Sequence, residues 1–311
     1  VWSIASPITA LKPTAIALGN FDGVHRGHQQ VIQPIAGSGH FGRDLYSSVI
    51  TFFPHPQEVL TGEKKLLLTP PEEKAAYLHQ MGVDQLVIVP FNQQLAHLGP
   101  QEFVSQILVE SLQAKIISVG EDFRFGYQRR GSVEDLTAIA TQWGIKVIIT
   151  PLQNCQEGRI SSSQIRLALT DGDLLQVKRL LGRPYQLQGT VIKGQQLGRT
   201  LGFPTANLNV PPQKFLPRFG VYSVRVYNPL WTETQPVMGV MNLGNRPTVD
   251  GVQPTLEVHL LNWSGDLYDQ TLHVELESFL RPEQKFASLD ALKAQIAADC
   301  ETALSGVGSW Q

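Results

Sequence analysis

Apolar positions change their spacing partway along this chain. In the first half, short continuous apolar runs alternate with stretches of helical period. Ala15–Leu18 is apolar throughout and stops at Gly19, as a strand buried on both faces does. Similar runs recur at Val49–Phe53, Leu86–Val89, Ile116–Val119 and Val147–Ile149. The helices predicted between them carry start and stop signals. Pro70-Pro71 leads into Glu72–Met81, which Gly82 ends, and Ser132 caps Val133–Trp143, which Gly144 ends. Strands alternating with helices predict an α/β doubly wound parallel sheet.

The pattern changes across Thr170–Pro184. Asp173 is placed to cap a short helix, Leu174–Leu181, with Gly182 and Pro184 behind it. Beyond it, Gln186–Ile192, Val221–Tyr227, Gln235–Asn242, Thr255–Leu261 and Thr271–Leu280 read as strands separated by Gly, Pro and Asn turns. No helical pattern intervenes until Ser288–Ala303, where Leu289, Leu292, Ile296 and Cys300 share one face. The expectation is a small antiparallel β-barrel with a terminal helix. Two domains are expected, residues 1–183 and 184–311.

Composition narrows the setting. The 311 residues are 42% hydrophobic and 17% charged, ordinary for a soluble globular protein. A formal net charge of -2 offers no global attraction to nucleic acid or an anionic membrane, so a bound anion must be held by local groups. Two cysteines, Cys155 and Cys300, without CxxC spacing, argue against a disulfide framework or structural zinc and for a reducing, cytoplasmic setting. The opening VWSIASPITALKP lacks the basic start and long apolar stretch of a signal peptide, and no apolar run reaches membrane-spanning length.

The loop Gly19–His28, GNFDGVHRGH, follows the first predicted strand, where ligands bind in doubly wound sheets. Its glycines permit sharp turns, and a following helix start favours phosphate. His25 and His28, three residues apart, can donate hydrogen bonds to phosphate oxygens as charge builds on a departing pyrophosphate. By itself the loop reads equally as a structural turn. Far along the chain, Ile160–Arg166 reads ISSSQIR. Ser161 and Ser162 supply hydroxyl donors at another helix start, and Arg166 can hold phosphate bidentately.

These motifs together resemble the nucleotidylyltransferase superfamily, which is Rossmann-like. With TFFPHP at Thr51–Pro56 and GEDFRFG at Gly120–Gly126, the chain resembles the FMN adenylyltransferase module of prokaryotic bifunctional riboflavin kinase/FAD synthetases. The resemblance implies that His25 and His28 contact the ATP phosphates. Gly19, Asn20, Phe21, Asp22, Ser161, Ser162 and Arg166 would shape the same site. It also implies flavin contacts from His55, Asp122, Phe123 and Phe125. From the residues alone, the GEDFRFG aromatics are equally well explained as core. Ser163 stands where the family pattern expects Thr, which keeps the hydroxyl.

A second constellation, Gly189–Asn207, reads GTVIKGQQLGRTLGFPTAN. Gly194, Gly198 and Gly202 near Lys193 and Arg199 make a flexible, cationic loop suited to phosphates, without Walker A spacing, and Gly189 is a further ATP-binding candidate. Thr205 and Asn207 alternate on an extended segment, so both oxygens can face one hard cation such as Mg2+. A Gly-rich hairpin with a solvated turn would look the same. The string is similar to the riboflavin kinase motif, as are GVMNLGNRPT, TLEVHLLNWSGDLY and FLRPEQKF. That likeness implies Glu257 as general base and Arg281 at the flavin, whereas from the residues alone a solvated strand face accounts for Glu257 and a surface ion pair for Arg281. It covers the chain from about Thr14 to about Thr302, with its motifs in family order. The implied substrates are riboflavin, FMN and ATP, the products ADP, FAD and pyrophosphate, and the cation Mg2+. A transferase for another phosphorylated acceptor, or a flavin-binding protein with decayed sites, are the competing readings.

Overall fold

The computed structural model describes residues 3–37, 44–152, 154–155, 158–194, 197–231, 235–248 and 251–305. By packing, the chain divides into two units, Val1–Ser162 and Ser163–Gln311.

The first unit is built on a parallel sheet of β1 (Ser3–Ala5), β2 (Thr14–Leu18), β3 (Tyr46–Phe53), β4 (Gln85–Pro90), β5 (Ala114–Gly120) and β6 (Lys146–Thr150). The strand order is β1-β4-β3-β2-β5-β6, every pairing parallel. β2 is buried along its whole length, and its side chains alternate between two cores. Ile16 and Leu18 join one with Leu108, Ile117 and Leu136, while Ala15 and Ala17 join another with Ile32, Leu78 and Leu86. An unbroken apolar strand therefore satisfies both faces of the sheet. From β2 the chain winds first toward β3 and β4, then to the other side through β5 and β6. The switch point, where such sheets hold ligands, lies between β2 and β5. A two-stranded hairpin, β7 (Asn154–Cys155) and β8 (Gly158–Arg159), follows the sheet.

The expected helices form at Pro71–Gln80 and Val133–Gln142. Ser132 caps the second in a reciprocal box with Asp135.

Helix Ser162–Asp171 starts at the last residue of the first unit, and helix Leu174–Leu181, capped by Asp173 as expected, lies in the second. Its core is a closed antiparallel barrel of β9 (Gln186–Ile192), β10 (Ala206–Asn209), β11 (Gly220–Tyr227), β12 (Val237–Thr248), β13 (Gly251–Leu260) and β14 (Thr271–Arg281). Leu187, Val191, Leu208, Val224, Met241, Val258 and Val274 alternate inward along these strands and are buried.

Helix Leu289–Ser305 packs Ala303 and Cys300 against Val221 and Val240. Two details differ from the sequence reading. Leu289 is 66% exposed, because it lies in the first turn, before the helix meets the barrel. A five-residue helix, Leu197–Leu201, also sits within the strand region, too short to leave a period.

Candidate functional site

In the first unit, the loop after β2 is shaped by backbone that few side chains tolerate. Phe21 and Val24 have φ of 47° and 42°, and Gly23 has φ of 89°. Left-handed backbone at an aromatic and a β-branched residue persists only where neighbours enforce it. Here both side chains are buried, and the loop is held from four segments. Asp22 accepts the Thr69 N–H at 3.1 Å, and the Gly23 N–H donates to Thr69 Oγ1 at 2.9 Å. The Asn20 carbonyl accepts from Thr51 Oγ1 at 3.0 Å and from Lys74 Nζ at 2.6 Å. Ser162 Oγ donates to the Asp22 carbonyl at 2.8 Å across 140 positions of sequence, joining two of the predicted motifs.

His25 caps helix Arg26–Ile32, its Nδ1 accepting the His28 N–H at 3.2 Å. The proton of a neutral His25 ring therefore sits on Nε2. The His25 and His28 rings stack with centroids 3.5 Å apart and planes within 15°. Phe21 abuts His28 edge-on, 5.3 Å between centroids. A Cβ on Gly19 would lie 3.2 Å from the Phe21 ring, and one on Gly27 3.3 Å from the His25 ring. Those glycines leave room for the aromatic cluster.

A pocket beside this loop is lined by Asn20, Asp22, Thr51, Phe52, Phe53, His55, Lys74 and Ile88, among others. His55 caps helix Pro56–Thr61 through Nδ1, and its Nε2 meets the Asn20 amide at 3.2 Å. The sequence reading missed Lys74. It is 6% exposed, and burial, opposed by the nearby Asp22 carboxylate, lowers its pKa to about 8.

Beyond β5, Asp122 pairs with Arg159. Phe125 is buried in the core beside Phe103 and stacks on Phe123, whereas Phe123 is only partly buried. Arg166 belongs to the second unit by packing, where its guanidinium lies 5.7 Å from the Phe215 ring centre.

In the barrel, Asn207 stands directly opposite Glu257, and Glu257 opposite Asn242. Paired residues share a face, so the three side chains form a row across β10, β13 and β12. Ala206, Leu208, Leu256 and Val258 point inward and are buried, which places the row on the outer face. Thr205 precedes it with the same parity. Asn242 was not anticipated as part of this row.

The glycine-rich loop is folded tightly onto these residues. A Cβ on Gly194 would fall 2.3 Å from the Asn207 amide nitrogen, and one on Gly198 2.4 Å from the Phe203 carbonyl and 3.3 Å from Thr205 Oγ1. Lys193 and Arg199 are exposed on the same loop. His259 Nδ1 meets the Pro204 carbonyl at 2.7 Å, tying the PTAN segment to β13. Gly189 lies on the inward side of β9, where a Cβ would sit 2.9 Å from the Asn209 carbonyl. Arg281 is held by Asp299 of the terminal helix, Nη2 to Oδ2 at 2.8 Å.

Family models divide the chain in the same order as its two sheets. Residues 8–164 match FAD synthetase and residues 181–306 match riboflavin kinase. The Escherichia coli K12 bifunctional riboflavin kinase/FMN adenylyltransferase is 44% identical over 291 residues, 93% of this chain and 91% of the relative. The Haemophilus influenzae protein of the same name is 38% identical over 294 residues, covering 94% of each. A crystal structure described as a macrolide-efflux protein from Streptococcus pneumoniae superposes with a TM-score of 0.83 at 31% identity, covering 100% of this chain and 99% of the other. Among the described residues, no helix is long and apolar enough to cross a membrane. With both family models matched in order and close relatives aligned along nearly its full length, this chain belongs to the bifunctional riboflavin kinase/FMN adenylyltransferase family.

Proposed function

We propose that the named side chains divide the two activities of this bifunctional enzyme, residues 1–183 serving FMN adenylylation and residues 184–311 serving riboflavin phosphorylation. In the barrel, the Glu257 carboxylate takes the proton of the ribityl primary hydroxyl as its oxygen attacks the ATP γ-phosphorus. The bond from that phosphorus to the β–γ bridging oxygen breaks, releasing ADP and leaving FMN. Lys193 and Arg199 bring cationic charge to the phosphates. The Thr205 hydroxyl and Asn207 amide oxygen, hard donors beside Glu257 in the strand register, fit Mg2+. Bound there, the ion would neutralise charge on the transferring phosphates.

In the N-terminal site, a phosphate oxygen of FMN attacks the α-phosphorus of a second ATP. The α–β bridging bond breaks, giving FAD and pyrophosphate. The nucleophile is already anionic, so the step needs no base. His25 and His28 donate to the charge developing on pyrophosphate, with Asn20, Asp22, Ser161 and Ser162 shaping the phosphate end. The pocket lined by Phe52, Phe53 and His55 suits the flavin. Both steps are soluble, cytoplasmic chemistry.

The observation that supports this assignment is the hydrogen bond from Ser162 Oγ to the Asp22 carbonyl, which links residues 140 positions apart from two candidate phosphate motifs. Incubation with riboflavin, ATP and Mg2+, followed by separation of the flavins, tests it. FMN accumulates first and FAD follows; unchanged riboflavin overturns it.

A further inference from the structure

Lys74 lies on helix Pro71–Gln80, four residues before the fully buried Leu78, so its side chain runs inward with the core face. Its ammonium ends at the Asn20 carbonyl, 2.6 Å away, and 3.3 Å from Thr51 Oγ1. A neutral donor would satisfy a carbonyl at lower cost, because burying an ammonium is expensive. The charge therefore calls for a role beyond packing. It stands in the wall of the pocket that Asn20, Asp22 and His55 also line.

The clamp acts at a particular bond. A trans peptide sends its C=O and N–H in opposite directions. Holding the Asn20 carbonyl against Lys74 and Thr51 therefore turns the next N–H, that of Phe21, away from the wall. That N–H has no hydrogen-bond acceptor among the described residues. The same clamp precedes the two left-handed residues, Phe21 and Val24, and the Phe21 ring in turn packs on His28. One cation thus sets the direction of a backbone donor and the seat of the histidine pair.

We infer that Lys74 is a positioning residue of adenylyl transfer, its buried charge fixing the Asn20–Phe21 peptide so that the Phe21 N–H and the His25–His28 pair address the phosphates. This inference rests on the assignment of FMN adenylylation to the N-terminal site.

Riboflavin phosphorylation by the same chain is the internal control. In Lys74→Met, kcat for FAD formation from supplied FMN should fall about 100-fold, the scale of losing a preorganised donor to developing charge. KM for FMN should stay within about threefold, because the loss is in the transition state. FMN formation should be unchanged. Lys74→Arg, which keeps the charge, should recover much of the rate.

A pH profile separates charge from packing. The wild-type rate of FAD formation should descend as the pH rises through about 8, where Lys74 loses its proton. In Lys74→Arg that limb should move upward. Asp22 from the loop and His55 from the turn after β3 are the other titratable groups on this wall, and both remain in the variant. A limb that they caused would not move.

Full kcat in Lys74→Met, or an unmoved limb in Lys74→Arg, overturns the inference. Should Lys74→Met fail to fold, Thr51→Val removes the neighbouring clamp on the same carbonyl. It should lower kcat about tenfold with KM preserved; an unchanged rate overturns the inference there. A wild-type protein that makes no FAD from FMN and ATP would instead refute the activity assigned to this site.

Discussion

In the N-terminal unit, the loop after β2 is enclosed by hydrogen bonds from Thr51, Thr69, Lys74 and Ser162, and its two strained residues are buried. In the barrel, the row Asn207–Glu257–Asn242 lies on an outer strand face, and its loop cations Lys193 and Arg199 are exposed. As proposed sites of nucleotidyl and phosphoryl transfer, the two are organised differently. The first spends folding energy to fix backbone donors before substrate arrives. The second fixes its row by strand register and by the glycine-rich loop folded onto Thr205 and Asn207, while its loop cations stay exposed. Loss of a tether in the first site should therefore act through loop geometry, while loss of a side chain from the barrel row should act through the missing group itself.

The sharpest separation comes from Glu257→Ala. Removing the proposed general base should lower FMN formation by about 10²–10⁴-fold, with FAD formation from supplied FMN unaffected. Flavin separation after parallel incubations measures both. The mirror experiment is His28→Ala, which should lower FAD formation by about 10²–10³-fold as the proposed donor to developing charge is lost. FMN formation should survive. Equal loss of both activities in either variant would break the comparison.

Glycines sharpen it at a smaller scale. A Cβ on Gly198 would fall 2.4 Å from a backbone carbonyl, which must move. Overpacking of this kind costs about 1–3 kcal/mol, so Gly198→Ala should cut kinase kcat/KM for ATP by about ten- to a hundredfold. The corresponding atom on Gly19 would meet the Phe21 ring at 3.2 Å, a contact a small tilt relieves. Gly19→Ala should cost adenylylation less than tenfold by the same reasoning. Steady-state kinetics of each half-reaction decides the order of the two effects.

Much of this was legible in the sequence because periodic patterns write themselves into it. The buried strand Ala15–Leu18 and the capped helix after Asp173 sit where their residues predicted. β1 did not show, since three residues carry no period. Lys74 was hidden for a related reason. In a helix that also carries Glu72 and Glu73, one more charged residue reads as solvated surface. Its spacing of four from Leu78 was the available signal. An ion pair was one of the two readings open for Arg281, but not its partner, since Asp299 lies 18 residues on and is brought to it only by packing of the terminal helix. Phe125 shows the same limit, because an aromatic in a ligand loop and one in the core beneath it have the same letter.

The smallest effect tests the loop from its most distant tether. Ser162→Ala deletes the hydroxyl that donates to the Asp22 carbonyl at 2.8 Å. One such hydrogen bond is worth about 1 kcal/mol, so the rate of FAD formation should fall about fivefold. The two left-handed residues on either side of Asp22 make the loop sensitive to that loss, since their strain is offset only by such tethers. FMN formation should not change. Hydrogen exchange should report faster opening around residues 20–24 and unaltered protection in the barrel strands. If instead the rate and exchange of the loop match the wild type, Thr51, Thr69 and Lys74 suffice to hold it. The N-terminal site would then owe its fixed geometry to the sheet and the helix Pro71–Gln80 alone.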